Sequence, residues 1–136
     1  MTMSATARRL GDGLRHEVDV NGRHTIITDE PPALGGTDTG PAPHELLPAA
    51  LASCVSTMVS LYAQRKGWDV GEISADVVYD ADSDPRRFDV TLHLPAGLSA
   101  DQVTRLRRVA ASCPVRRALE SDVVFEEHLD IPALAA

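Results

Sequence analysis

The stretch Glu45-Leu-Leu-Pro-Ala-Ala-Leu-Ala-Ser-Cys-Val-Ser-Thr-Met-Val-Ser-Leu-Tyr-Ala-Gln-Arg-Lys66 decides the fold class. Leu47, Ala50, Leu51, Cys54, Met58, Leu61 and Tyr62 recur at helical spacing, so the stretch predicts one long helix. Most other positions from Leu46 to Val59 are apolar or small, and a helix that is apolar nearly all round is expected to be buried. Gly67 ends it, and Arg65 and Lys66 suit the negative end of its dipole. Pro48 lacks an N–H and crowds the carbonyl four residues back. Either the helix begins near Glu45, with Pro48 in its first turn, or it is kinked at Pro48.

Outward toward the N-terminus, Ala5 to Asp29 reads as two or three short strands. His16-Glu-Val-Asp-Val20 alternates, His24-Thr-Ile-Ile-Thr28 is β-branched, and Asn21-Gly22 between them is a hairpin signal. Pro31 to Pro43 is rich in proline and glycine, hence a loop, and its length points to a functional role. Toward the C-terminus, Val70–Tyr79 and Arg87–Leu94 read as strands joined by an Asp- and Pro-rich turn. Ser99-Ala-Asp-Gln102 is a capping box opening a helix over Val103–Ala111. Pro114 fits the first position of a further short helix capped by Cys113, and Val123–Leu129 is a last strand candidate. Strands and helices mix without βαβ alternation, so the class is α+β.

The whole chain, 1–136, reads as a single domain without repeats or linkers. With 43 % hydrophobic residues it should fold, and with 4 % aromatic residues aliphatic side chains must fill its core. A net charge of −7 argues against nucleic acid as a partner. The run Arg105, Arg107, Arg108, Arg116, Arg117 is the local exception, read first as a solvated helix face. No stretch is read as a membrane span, and Met1 to Arg9 lacks an apolar signal core, so a cytoplasmic, reducing setting is expected. Two cysteines there are free core thiols or redox groups rather than a static staple. For Cys54 the plain alternative is an inert buried thiol. For Cys113, a helix cap followed by Arg116 and Arg117 favours the thiolate. The two are too far apart for a Cys-x-x-Cys motif, neither pairs closely with a histidine as a metal site would, and no Gly-x-Ser-x-Gly is present. No metal or other cofactor is expected. The residues alone lead to an α+β domain with two candidate thiols.

A resemblance leads further. Gly36 to Cys54 resembles the loop and central helix of the OsmC/Ohr family, Tyr62 to Trp68 its helix end, and Arg105 to Leu119 its second cysteine segment. The resemblance implies an intertwined α+β homodimer, with central helices wrapped by antiparallel sheets from both subunits and active sites at the interface. It also implies a hydroperoxide reductase (peroxidase) acting on organic hydroperoxides. Cys54 would be the nucleophile, Cys113 the resolving thiol, and an external dithiol the reductant. Better characterised peroxidases of the family carry a glutamate directly after the proline that here is Pro43. His44 stands there instead, and Glu45 matches the second carboxylate of the pair found in some members. The family's arginine comes from the N-terminal strands or their loops, where Arg15 and Arg23 are the candidates for supporting the thiolate, with His44 a third. Leu47, Leu51, Val55 and Met58 are the expected substrate pocket. A non-catalytic dimer binding a small apolar ligand, or a slow redox sensor, is the rival reading.

Overall fold

The computed structural model describes residues 1–133. Three short strands come first: β1 (Ala5–Arg9), β2 (His16–Val20) and β3 (His24–Thr28), in one antiparallel sheet with β2 central. Asn21 and Gly22 both adopt left-handed φ, 55° and 68°, in the turn closed by Arg23 N–H donating to the Val20 carbonyl at 3.1 Å. Such a turn matches the right-handed twist of the strands it joins, which is why Asn-Gly marks it.

The loop after β3 includes 3-10 turns at Pro32–Leu34 and Pro43–Glu45 and leads into α1 (Leu46–Lys66). Pro48 falls in the first turn of α1, where its missing N–H would have had no intrahelical partner anyway. Gly67 closes the helix at φ 69°. Two strands follow, β4 (Ser74–Asp80) and β5 (Arg87–His93), paired antiparallel with Val77 opposite Val90. β4 starts later than Val70, because Val70 is buried in the core and Gly71 turns the chain at φ 57°. Helices α2 (Ala100–Ala111) and α3 (Pro114–Glu120) complete the elements. The Ser99/Gln102 capping box forms with both bonds, at 3.1 and 2.8 Å.

Two clusters hold the body together. Val59, Ala63, Val70 and Leu106 join α1 to α2, and Leu51, Val55 and Cys113 join α1 to the start of α3. The inner face of β4–β5 closes over them with Ala75, Val77, Phe88 and Leu92. Leu51, Val55, Val59 and Ala63 form a buried stripe on α1 at every fourth residue.

Three expectations need correction. Within the chain α1 is buried along that one stripe, not all round, and Leu47 and Leu61 remain 36 % and 39 % exposed. Pro43–Lys66 contains an 18-residue stretch apolar enough, by length and composition, to cross a membrane. A domain's core helix passes the same test, and here the stripe packs on β4, α2 and α3. Val123–Leu129 is not a strand but an exposed, irregular segment. Its residues have strand propensity, yet a strand exists only by pairing with a neighbour, and among the described residues it has none. The β1–β3 sheet likewise shares no broad packing face with α1, β4–β5, α2 or α3 among the described residues.

Candidate functional site

Cys54 lies in the middle of α1, next to the buried stripe, and is half-buried. Cys113 caps α3 and is fully buried. The two meet where α3 abuts α1: Cys54 packs against the cluster of Leu51, Val55 and Cys113, with Met58, Phe88, Ala110 and Val115 around it. Both thiols are free. Residues separated by a strand pair and a helix are thus brought together by the fold. The cap geometry is local in origin: Pro114 pre-sets the first helical φ, and Cys113 Sγ accepts the Arg116 backbone N–H at 3.4 Å.

Burial pushes the Cys113 thiol above its ordinary pKa. The Arg116 N–H pulls it down, and the neighbouring Cys54 thiol pushes it up again. The expectation that the helix cap would favour a Cys113 thiolate is therefore corrected, because desolvation of the charged form outweighs the cap.

Two hollows flank this junction. A cleft of about 770 Å³ lies between the start of α1, the β4–β5 hairpin and α3. Leu47, Leu51, Phe88 and Leu119 give it apolar walls, and Tyr79, Arg86 and Arg116 add polar groups. A groove of about 470 Å³ runs between β5 and α2, floored by Leu51, Val55 and Ala110 and edged by Arg107 and Arg116. The expected pocket is thereby divided. Leu47 and Leu51 line the cleft, Leu51 and Val55 line the groove, and Met58 lines neither but packs against the thiol cluster.

His44 and Glu45 sit in the 3-10 turn ahead of α1. The His44 ring meets Tyr79 edge-on, 5.4 Å between centroids, and Tyr79 stacks on Phe88 at 4.3 Å. This carries an aromatic row from His44 to the cleft. Glu45 Oε1 accepts the Ala42 backbone N–H at 2.9 Å, which fixes the turn. Arg15 and Arg23 lie in the N-terminal sheet, Arg15 just before β2 and Arg23 just before β3. Among the described residues that sheet shares no broad face with α1, and neither arginine lines the cleft or the groove. Tyr79 and Phe88 escaped the sequence reading, and Arg116 was read only as part of a solvated arginine run and as a cation beside the Cys113 cap, not as a wall of both hollows. Alternation along β4 and β5 could have placed the two aromatics on the inner face, whereas nothing local marks Arg116 as facing both hollows.

One feature upstream holds the approach to the site. The Asp29 carboxylate is buried and accepts hydrogen bonds from the Thr37 and Thr39 hydroxyls, at 2.6 and 2.8 Å, and from three backbone N–H groups. The Thr37 hydroxyl leads in holding this carboxyl well below the usual carboxylate range, followed by the Glu30 N–H and the Thr39 hydroxyl.

Residues 36–128 match the family described as OsmC-like protein. Among curated proteins none matches the chain. Among solved structures, a Psychrobacter arcticus 273-4 protein named for osmotic stress induction and detoxification response is 27 % identical, with TM-score 0.72, covering 87 % of this chain and 88 % of that one. An organic hydroperoxide resistance protein from Elizabethkingia anophelis is 25 % identical, with TM-score 0.62 and 90 % of each chain covered. An OsmC-like protein from Mycoplasma pneumoniae shares the fold at 17 % identity, with TM-score 0.70 and 88 % of each chain covered.

Proposed function

Because the chain belongs to the OsmC-like protein family, we propose that it is a thiol-dependent peroxidase that reduces organic hydroperoxides. The observation that carries this reading is the pairing of two free thiols. One is half-buried on the central helix and the other is buried at a helix cap against it, beside an apolar-walled cleft.

The Cys54 thiolate attacks one peroxide oxygen. An S–O bond forms, the O–O bond breaks, and the organic fragment leaves as an alcohol after taking a proton. Cys54 is then a sulfenic acid. Cys113 sulfur attacks the Cys54 sulfur, water leaves, and a disulfide remains. An external dithiol returns two electrons and two protons. Cys113's raised pKa suits a thiol that waits for the sulfenic acid rather than attacking peroxide first. The cycle requires a reducing compartment such as the cytoplasm.

A nearby cation would stabilise the attacking thiolate. Arg15 or Arg23 of a second copy would fill that role, its N-terminal sheet lying against α1 in an intertwined homodimer. Glu45 would hold the arginine with its free oxygen while Oε1 stays in the turn. His44 against Tyr79, where peroxidases of the family carry glutamate, favours the second reading: a dimer that binds an apolar ligand in the cleft without turnover.

Incubation with cumene hydroperoxide and dithiothreitol separates the two. The peroxidase consumes the hydroperoxide, and Cys54→Ser loses at least about 100-fold of the rate, as expected when a nucleophile is removed. A Cys54→Ser variant that keeps the wild-type rate overturns the assignment.

A further inference from the structure

We propose that Asp29 is a positioning residue for the thiol chemistry: with Thr37 and Thr39 it sets where the N-terminal sheet stands, and thereby where Arg15 is offered to Cys54 of a second copy. This rests on the thiolate-supporting arginine of the reading above, chooses between its two candidates and names the groups that aim it. Asp29 is the only charged side chain buried among the described residues, and the thiol cycle makes no use of it. Burying a carboxylate is costly unless donors replace the lost water. Here they all come from the segment that follows: the Thr37 and Thr39 hydroxyls and the Glu30, Thr37 and Thr39 backbone N–H groups. The backbone binds the same segment to the end of β3, with Asp29 N–H donating to the Pro41 carbonyl and Asp38 N–H to the Glu30 carbonyl, both at 3.1 Å. Glu45 then fixes the Ala42 turn at the head of α1. A continuous set of bonds thus runs from β3 to the helix that carries Cys54. Among the described residues the N-terminal sheet shares no broad face with the other elements, so within the chain its orientation rests on this connection.

The clip also selects the arginine. In the β2–β3 pairing His16 stands opposite Thr28 and Val20 opposite His24. Arg15, one residue before β2, therefore lies at the end of the sheet where Asp29 sits, whereas Arg23 lies in the turn at the far end. The clipped loop also reaches the neighbour of Arg15: a Cβ on Gly35 would lie 4.0 Å from Leu14 Cδ1. The Arg15 carbonyl accepts the Leu10 N–H at 2.9 Å, which ties its backbone to the chain just past β1. Its side chain is exposed and makes no ion pair with a described residue. A carboxylate that bonded Arg15 would neutralise it. Asp29 bonds the loop beside it instead, so the backbone is held and the charge stays available to a partner. A guanidinium displaced from the sulfur loses its hold on the thiolate, because their attraction weakens with distance and with intervening water.

The test uses the full chain and reads the thiolate without turnover. The rate of Cys54 alkylation by iodoacetamide, followed by mass spectrometry across pH, has its midpoint at the pKa of that thiol, since the thiolate is the nucleophile. Thr37→Val/Thr39→Val removes the two hydroxyls and leaves the backbone donors on Asp29. It is expected to raise the midpoint by about one pH unit, a roughly tenfold loss of thiolate stabilisation, with sedimentation unchanged. Thr37→Ser/Thr39→Ser keeps the hydroxyls and the wild-type midpoint. A merely structural role would give the same shift in every background, whereas positioning couples the clip to one arginine. In Arg15→Gln the midpoint is already raised and the Val pair moves it no further. In Arg23→Gln the Val pair still moves it by about one pH unit. A folded Val-pair variant with the wild-type midpoint overturns the proposal, as does an equal Val-pair shift in wild type and in Arg15→Gln. If the Val pair does not fold, Leu14→Ala loosens the loop from Arg15 with the clip intact, and an unchanged midpoint there overturns the proposal equally. Cumene hydroperoxide consumption by the wild type is followed in parallel. Its absence sinks the peroxidase reading, while the alkylation midpoints still decide the clip.

Discussion

At the residue scale the critical comparison is between two neighbours, His44 and Glu45. Glu45 holds the Ala42 N–H with one oxygen and leaves the other free. Glutamine can keep that acceptor while replacing the free oxygen with an NH2 donor, so Glu45→Gln removes the charge and the acceptor an arginine would use but spares the turn. His44 is committed by its ring to Tyr79, and a charged imidazole would repel an incoming guanidinium. Glu45→Gln is therefore expected to lower kcat/KM with cumene hydroperoxide by about tenfold or more, the loss of one charge-assisted hydrogen bond. His44→Gln should cost less. The reverse order, with both variants folded, would make His44 the group that serves the thiolate. Neither contact could be read from sequence, because the Tyr79 ring arrives from a strand and the Ala42 bond depends on a tight turn.

The decisive element is the connection between the N-terminal sheet and α1. Asp29 gathers the loop through Thr37 and Thr39, and Gly36 and Gly40 pass so close to β3 and its end that a Cβ would sit 1.9 Å from the Glu30 carbonyl oxygen or 2.6 Å from that of Ile27. Gly36→Ala should destabilise the fold by roughly 1–3 kcal/mol, as overpacking does, visible as a lower urea midpoint. Asp29→Asn should also lower that midpoint, since an amide brings a donor to a site made of donors. The sign of its pH dependence follows from the depressed carboxyl. Stability from Asp29 is present above the unfolded pKa of ~3.9 and is lost as pH falls below it. The gap between wild type and Asp29→Asn should thus be wide at about pH 7 and shrink below about pH 4; a gap that widens on acidification refutes the clip. The sequence announced a loop here from its prolines and glycines but not the clip, because a buried aspartate looks like any other until its donors are placed. Helix α1, the Asn-Gly hairpin and the Ser99 cap were legible, since each is written in local spacing. The facing of α1 and the state of Val123–Leu129 were not, since both depend on what lies across from them.

At the scale of the whole molecule, the chain leaves much apolar surface uncovered. Leu47 and Leu61 on α1 are over a third exposed, and Val124 and Phe125 are 85 % and 83 % exposed. A second copy packed on this apolar surface would remove it from water. The protein is expected to sediment as a homodimer at micromolar concentration; a stable 14.6 kDa species would contradict that. Dimerisation would also supply what one chain does not bring to Cys54, an arginine from the N-terminal sheet. The central claim remains the thiol pair, and free-thiol counting with mass spectrometry after one equivalent of organic hydroperoxide tests it most directly. The account predicts no free thiol in the wild type and a Cys54–Cys113 link. It also predicts a dimedone-reactive Cys54 sulfenic acid in Cys113→Ser that excess peroxide drives to sulfinic acid. A wild type that keeps both thiols after this treatment would contradict it.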